Sequence, residues 1–255
     1  MSTLLSLEGV GRRHRRGELA RWALRGVTLH VAPGEVVSVV AMRGQGKTTL
    51  LRLAAGMVTP DEGRVRLGHE DLAGLSDPAH SRVLRERIGW AGRLGPGIDV
   101  RMLDYVALPL AVGGRVQRRE VRTLALAALE RVGAEQCAER RWEELSDWER
   151  ALVELAQASA GAPRLLLVDD LLDGFGMRET AVLGALVRTL ARELAAGVLM
   201  TVSDPEAALG SDRVLSLAGG CLSVMAGGDG EAEPGGVGNV IDLPRGRARR
   251  ERRGS

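Results

Sequence analysis

The chain has 255 residues, of which 45% are hydrophobic and 27% are charged, a composition that fits one sizeable globular domain and argues against wholesale disorder. No uncharged apolar run approaches the ~20 residues that a membrane-spanning helix needs, and the first residues lack the basic and apolar regions of a signal peptide. Cys137 and Cys221 are too few and too far apart for a disulfide scaffold or a zinc site, which is typical of a protein in a reducing cytosol.

The basic residues are uneven in type and in place. Only one of the 35 basic residues is a lysine, Lys47. The segment from Arg245 to the C-terminus holds six arginines against one glutamate, so the rest of the chain is mildly acidic. The pI of 8.9 therefore reflects the tail, and a nucleic-acid-binding domain is not expected.

Strand and helix patterns alternate along the chain, as in an α/β domain. Strands are predicted at 27–31, 35–41, 64–67, 165–169, 198–202, 214–217 and 221–224, with a Pro33-Gly34 turn between the first two. Helices are predicted at 48–55, 118–132, 134–142, 147–160 and 177–195. The folded domain is expected to end near residue 225, because the Gly-rich and then Arg-rich residues 226–255 have no periodic apolar face and are predicted to be disordered.

A phosphate-binding loop is predicted between the second strand and the first helix. Residues 41–48 read Ala-Met-Arg-Gly-Gln-Gly-Lys-Thr and match G-x-x-x-x-G-K-[ST], except that Ala41 replaces the first glycine. Gly44 and Gly46 would let backbone N–H groups close around phosphates, Lys47 would reach the β/γ-phosphates, and Thr48 would ligate Mg²⁺. A chance Gly-rich turn is disfavoured because strand, loop, helix and the one lysine occur together. The predicted phosphate-binding residues are Ala41, Met42, Arg43, Gly44, Gln45, Gly46, Lys47, Thr48 and Thr49.

A second acidic element supports the phosphate loop. Residues 165–170 form an apolar strand that ends in two carboxylates, the Walker B arrangement. Asp169 is predicted to hold Mg²⁺ through water, and Asp170 occupies the position of a water-activating carboxylate. The alternative is an ordinary solvated strand end.

With both elements placed, residues 4–225 resemble the nucleotide-binding subunit of ABC transporters. The matching segments outside the two phosphate-site elements are 23–29, 88–90, 105–110 and Leu145-Ser146. The stretch 105–110, Tyr-Val-Ala-Leu-Pro-Leu, resembles the lipoprotein-release and macrolide-export branch. The resemblance implies an α/β phosphate-loop NTPase (RecA-like) core, with an antiparallel β subdomain and a helical subdomain inserted at about 94–160. It also implies ATP and Mg²⁺ as ligands, membrane permease subunits as partners on the inner face of the membrane, and pairing as a homodimer or a heterodimer.

The family's signature sequence, Leu-Ser-Gly-Gly-Gln, is altered to Leu145-Ser146-Asp147-Trp148-Glu149. The resemblance implies that this segment faces the γ-phosphate bound by the opposing subunit. There Asp147 would bring a like charge and Trp148 would bring bulk, so poor binding of that nucleotide is expected. Packing of Trp148 in a local core is an equal alternative.

The positions that the resemblance assigns to hydrolysis are altered as well. Asp170 replaces a glutamate, and the missing methylene retracts the carboxylate by roughly an ångström. Ser203 replaces the switch histidine and Arg93 the Q-loop glutamine, so that Asp170, Ser203 and Arg93 stand at the catalytic positions and slow hydrolysis is expected. Gly176 falls on the D-loop aspartate, and His14 falls on the aromatic residue that stacks on adenine. For His14 and Arg93 a placement one residue away stays open.

Two functions remain in view. The first is an ATP-binding transporter subunit with weak hydrolysis, favoured by the coupling-type stretch 94–110. The second is a non-transport, ATP-responsive regulatory or interaction protein, favoured by the altered motifs. An unrelated phosphate-loop kinase is disfavoured by Leu145-Ser146 and the helical insertion. The Arg-rich tail is either inert or a contact for anionic lipid, whereas nucleic acid is an unlikely partner.

Overall fold

Two β-sheets organise the chain in the computed structural model, which describes residues 3–16, 19–112 and 116–225. The strands are β1 (Leu5–Arg16), β2 (Leu19–Val31), β3 (Val36–Val40), β4 (Glu62–Leu67), β5 (Glu70–Asp71), β6 (Ile88–Ala91), β7 (Leu165–Asp169), β8 (Gly197–Val202), β9 (Arg213–Ala218) and β10 (Cys221–Val224). The helices are α1 (Lys47–Ala54), α2 (Asp77–Arg87), α3 (Met102–Val112), α4 (Arg118–Val132), α5 (Asp147–Ala160) and α6 (Met177–Glu193).

The first sheet is antiparallel, with the strand order β2-β1-β4-β5. The second sheet has the order β10-β9-β3-β8-β7-β6, and its strands from β9 to β6 are all parallel. Both β3 and β8 are buried along their whole length, as expected for parallel strands covered on both faces. The Pro33-Gly34 turn carries the chain from the first sheet into the second.

The parallel sheet separates two apolar cores, which alternate residues of β7 illustrate. Leu166 and Val168 pack into the core that holds the buried faces of α3, α4, α5 and α6. Leu165 and Leu167 point the other way, into the core shared with α1 and the antiparallel sheet. This period of two is the side-chain alternation of a strand, and it explains why the run 165–168 is apolar without interruption.

The helices α3, α4 and α5 occupy the segment between β6 and β7 and pack on one another. They fall within the predicted inserted helical subdomain, whose boundaries, like the domain end near residue 225, stay predictions. None of the helices in the described ranges is both long and apolar enough to cross a bilayer.

The α/β phosphate-loop fold class is confirmed, but one predicted helix is wrong. Residues 134–142 form only two short 3₁₀ turns, Glu135–Cys137 and Trp142–Glu144. The backbone between them instead pairs with the start of α3, because the N–H groups of Leu103 and Met102 donate to the carbonyls of Ala138 and Arg140, each at 2.9 Å. Those carbonyls are then satisfied by tertiary partners rather than by a helix.

Other differences concern elements that the sequence patterns did not reveal. The strand β1 and the helix α2 were not predicted, and predicted strand 27–31 is the last part of the 13-residue β2. The second half of β1 reads Arg-Arg-His-Arg-Arg over residues 12–16, so the alternation of apolar and polar residues that indicates a strand is missing there. The predicted disordered tail, 226–255, lies outside the described residues.

Candidate nucleotide-binding site

The predicted site residues lie at the ends of three neighbouring strands, at one edge of the parallel sheet. The phosphate loop follows β3, Ser203 follows β8, and Asp169 ends β7. The strands are in register there, since Val40 pairs with Val202 and Asp169 pairs with Thr201. The carboxyl edge of such a sheet is where α/β proteins bind ligands, and the topology therefore brings together residues about 120 to 160 positions apart in the sequence.

The phosphate loop has the conformation that its glycines predict. Gly44 and Gly46 have φ values of 81° and 105°, in the left-handed region that glycine tolerates. A Cβ on Gly46 would lie 2.7 Å from the carbonyl oxygen of Ala23, so no larger residue fits there. Ala41 has no left-handed φ, and its N–H donates to the Val202 carbonyl at 3.0 Å. The missing first glycine is therefore tolerated by the backbone.

The side chain of Lys47 is only 5% exposed and lies among acceptors. Its Nζ atom is 3.0 Å from Oδ1 of Asp170 and 3.8 Å from Oδ2 of Asp173, and it donates to Oγ of Ser203. A buried ammonium needs such partners. Phosphate oxygens are equivalent partners, so a bound polyphosphate can take over these contacts.

Thr48 and Asp169 meet as the Mg²⁺ prediction requires. The Thr48 hydroxyl donates to Oδ1 of Asp169 at 3.3 Å. The hydroxyl of Thr201, fully buried, lies 3.1 Å from the same carboxylate oxygen and 3.3 Å from Oδ1 of Asp170. Hydroxyl and carboxylate oxygens suit Mg²⁺, which uses few protein ligands and keeps water and phosphate oxygens in its other positions. The described residues contain no denser cluster of metal-ligating side chains.

Asp170 sits in an unusual backbone conformation. Its φ is 52°, in the left-handed region where aspartate and asparagine are enriched among non-glycine residues. Its N–H donates to the carbonyl of Thr201 at 3.2 Å. Burial raises the pKa of its carboxyl, while the hydrogen bond and charge of Lys47 oppose that rise.

A network around Asp173 connects the altered Q-loop and switch positions. Nη1 of Arg93 donates to the Asp173 carbonyl at 2.5 Å, and the Ser203 N–H donates to Oδ1 of Asp173 at 2.9 Å. Sequence reasoning did not single out Asp173, although it is the third carboxylate in the run 169–173. Its contacts with Arg93, Ser203 and Lys47 arise only in the folded chain, because these residues are distant from it in the sequence.

The other end of the cleft holds the residues available to a nucleobase. His14, Arg21, Trp22 and Arg43 line it together with the phosphate loop, and the cleft has a volume of about 470 Å³. Nε2 of His14 is hydrogen-bonded to Oγ1 of Thr49 at 3.1 Å. Trp22, which the sequence prediction missed, stands beside it with the Arg13 guanidinium 4.0 Å from the ring centroid. The cross-strand pairing of β1 with β2 brings Trp22 there.

The altered signature segment begins α5. The hydroxyl of Ser146 accepts from the Glu149 N–H, while the Glu149 carboxylate accepts from the Ser146 N–H at 2.8 Å, a reciprocal cap. Leu145 is buried, and Asp147 is 72% exposed. Trp148 packs edge-on against Phe175 with ring centroids 6.0 Å apart, as the alternative of local packing expects, and the effect of this segment on the opposing subunit's nucleotide stays a prediction. Phe175 precedes Gly176, the N-cap of α6.

Comparison with known proteins agrees with this geometry. The sequence profile of the family described as "ABC transporter" matches residues 24–172. A lipoprotein-releasing system ATP-binding protein LolD from Cereibacter sphaeroides is 35% identical over 222 residues, covering 86% of this chain and 99% of the relative. The protein of the same name from Granulibacter bethesdensis is 32% identical over 217 residues, covering 85% and 94%.

Among solved structures, the dimeric form of MJ0796, a bacterial ABC transporter cassette, superimposes with a TM-score of 0.77 at 25% identity, covering 88% of this chain and 99% of that one. The relatives confirm the resemblance to the lipoprotein-release branch, and the predicted ligands ATP and Mg²⁺ are confirmed for a cassette of this kind. The profile match and the LolD relatives show that the chain belongs to the ABC transporter family as one of its ATP-binding subunits.

Proposed function

We propose that the chain binds Mg-ATP in the cleft beside the phosphate loop and hydrolyses it slowly, as the ATP-binding partner of separate membrane permease subunits. The buried Lys47 ammonium carries the proposal, because it lies at the N-terminus of α1 and its acceptors can be replaced by phosphate oxygens. In the bound state Lys47 would contact the β/γ-phosphates, the loop residues 41–49 would surround them, and Thr48 and Asp169 would hold Mg²⁺.

Slow hydrolysis follows from the state of the residues at the catalytic positions. The Asp170 side chain is one methylene shorter than the glutamate that the family has at this position. A general base must come within hydrogen-bond reach of the attacking water, and a carboxylate retracted by roughly an ångström loses much of its effect. Ser203 offers a short hydroxyl side chain where the family has an imidazole.

The partners are inferred from the relatives. The curated relatives are named as parts of a lipoprotein-releasing system, and the MJ0796 cassette was solved as a dimer. We therefore propose a dimer of ATP-binding subunits bound to permease subunits at the inner face of the membrane. Lipid contact through the arginines from Arg245 onward stays a prediction, with a free-energy gain of about 1 kcal/mol per arginine on an anionic surface.

A second candidate is a non-transport protein that uses the same fold as an ATP-responsive clamp. Trp148 favours it, since the indole is packed on Phe175 and cannot be moved without losing that contact. Co-purification from membranes separates the two candidates. A permease recovered with the tagged chain supports the transporter subunit, whereas recovery from the soluble fraction without a permease supports the clamp.

Nucleotide-dependent thermal stabilisation tests the binding site. Mg-ATP is expected to raise the melting temperature of the wild type, and Lys47→Ala should abolish that rise. Arg52→Ala is the matched control, because Arg52 is an exposed cation on the same helix. Asp169→Asn should remove the part of the rise that depends on Mg²⁺. A wild-type protein that shows no shift with Mg-ATP would refute the proposed function.

A further inference from the structure

Glu154 is a buried carboxylate that the proposed nucleotide chemistry does not use. It lies on α5, five residues beyond the altered signature segment, and its side chain is only 3% exposed. Aspartate and glutamate are almost never fully buried unless paired. The surroundings of Glu154 therefore indicate what this residue does.

Two donors hold the carboxylate. The Tyr105 hydroxyl on α3 donates to Oε1 at 3.0 Å, and the Gly92 N–H donates to Oε2 at 3.3 Å. The Gly95 backbone also favours the ionised carboxylate. The loop 92–95, which follows β6, therefore has its buried Gly92 N–H satisfied by this carboxylate.

No cation of the described residues forms an ion pair with Glu154. The charged groups that share its small cavity are Arg93 from the loop, and Asp147 and Arg150 from α5 itself. Arg150 is engaged with Asp147 at 3.2 Å. The other residues that line this cavity are uncharged: Gly92, Trp142, Ala151, Leu171 and Phe175. The buried positions of α4 and β6 are apolar as well. Asp173, in the segment 171–175, is charged, and its carboxylate contacts Ser203 and Lys47.

The loop 92–95 is held from its other side as well. Gly95 has a φ of 66°, and a Cβ at this position would lie 2.4 Å from Cε2 of Trp142. The backbone therefore lies directly on the indole ring. Trp142 and Glu154 fix the loop between them, one by contact and the other by hydrogen bonds.

The same loop reaches the nucleotide site through Arg93. Its guanidinium donates to the Asp173 carbonyl at 2.5 Å. The Asp173 carboxylate accepts from the Ser203 N–H and lies 3.8 Å from the Lys47 ammonium. A continuous series of contacts thus runs from Glu154 to the phosphate-binding lysine.

We propose that Glu154 is a positioning residue for the nucleotide site, whose carboxylate fixes the loop 92–95 and thereby holds Arg93 in place against the Asp173 carbonyl. The proposal rests on the proposed binding of Mg-ATP in this cleft. Held in this way, Arg93 adds a cation at the edge of the phosphate site. If the loop is released, the affinity for Mg-ATP falls because that cation is no longer fixed.

The protonation of Glu154 gives this role a measurable signature. Burial raises the pKa of its carboxyl to about 7, although the hydrogen bonds from Gly92 and Tyr105 and the nearby Gly95 backbone oppose the rise. Above that pH the ionised carboxylate accepts both hydrogen bonds. Below it the protonated acid loses acceptor capacity, so the loop is held less tightly and Mg-ATP affinity declines.

Two measurements on the full chain test the proposal, with Glu154→Gln as the main variant. The first is amide hydrogen exchange at Gly92 and Gly95 without nucleotide, compared between proteins at one pH. The second is Mg-ATP affinity from pH 6 to 8. Glu130→Gln, which removes an exposed charge from α4, controls for the change in net charge. At each pH the affinity of a variant is divided by that of the wild type, because the nucleotide titrates equally in both measurements.

Glu154→Gln is expected to speed exchange at both glycines and to flatten the affinity profile at the low-pH level of the wild type. Tyr105→Phe removes one hydrogen-bond donor to the carboxylate, which raises the pKa of Glu154. The midpoint of the affinity profile, near neutral pH in the wild type, should therefore lie at a higher pH in this variant. Unchanged exchange in both variants would overturn the role of Glu154 in holding the loop. Faster exchange with an affinity profile parallel to the wild type would overturn the link to the nucleotide site. Absence of Mg-ATP binding in every protein would instead refute the proposed function, with hydrogen exchange still deciding the role in the loop.

Discussion

The Lys47 ammonium lies 3.0 Å from Oδ1 of Asp170, which joins the lysine proposed to bind phosphate to the carboxylate proposed to activate water. In the proposed bound state a γ-phosphate attracts the same ammonium, so ATP is expected to loosen this ion pair and to release the Asp170 carboxylate.

Asp170→Glu should raise the ATP turnover several-fold, because the added methylene extends the carboxylate toward the attacking water. The variant should also be less stable, by on the order of 1 kcal/mol, because glutamate tolerates the left-handed backbone at this position less well than aspartate. Steady-state phosphate release and urea unfolding measure the two effects. Asp170→Asn should lower turnover further. A wild-type turnover of about 1–10³ s⁻¹, the ordinary enzyme range, would contradict this prediction.

Asp173→Asn should increase the affinity for ATP. The substitution keeps the acceptor for the Ser203 N–H but removes a negative charge 3.8 Å from Lys47, which competes with phosphate for that cation. A charge at such a distance is worth about 1 kcal/mol in water-like surroundings, so the dissociation constant should fall roughly fivefold. Titration calorimetry measures the change, with Asp104→Asn on the exposed face of α3 as the control. Weaker binding would show that Asp173 supports the nucleotide rather than competing with it.

Trp22→Ala should weaken ATP binding more than His14→Ala. Stacking of a base on an aromatic ring is worth about 1–3 kcal/mol, and the His14 ring is already hydrogen-bonded to Thr49. Inorganic tripolyphosphate, which has no base, is the internal control, since its affinity should be the same in wild type and Trp22→Ala. A larger loss in His14→Ala would instead assign the stacking role to His14, as the family resemblance implies.

Glu154→Gln should change the pH dependence of stability. The folded-state pKa of Glu154 is about 7, above its ordinary value of 4.5, so the folded chain binds more protons than the unfolded chain between these values. Wild-type stability is therefore expected to fall as pH rises through this window, by on the order of 3 kcal/mol from this group. Urea unfolding at pH 5 and pH 8 should show the glutamine variant gaining relative stability at the higher pH. A constant difference between the two proteins would contradict the prediction.

This cost in stability agrees with a positioning role. A buried, unpaired carboxylate destabilises the fold at neutral pH, and residues that break the usual rules of burial concentrate at functional sites. Local amino-acid preference alone does not explain a glutamate on the buried face of α5.

The parts of the site whose residues are contiguous can be predicted from the local sequence. The run 41–48 is one loop between a strand and a helix, so its spacing alone predicts the positions of Gly46, Lys47 and Thr48. The strand that ends in Asp169 is likewise local, because an unbroken apolar run followed by a carboxylate is typical of a buried parallel strand. The fold class followed from the alternation of these elements, and the family profile confirmed it.

Which side chains meet across the cleft depends on contacts between distant parts of the chain. Asp173 acquires its role from Arg93 and Ser203, which are 80 and 30 positions away, and Trp22 reaches the base end of the cleft through pairing of β1 with β2. Residues 134–142, predicted as a helix, instead form backbone hydrogen bonds with the start of α3. In each case the arrangement is stabilised by contacts between residues that are distant in sequence. Local amino-acid preferences and periodicity do not predict such contacts.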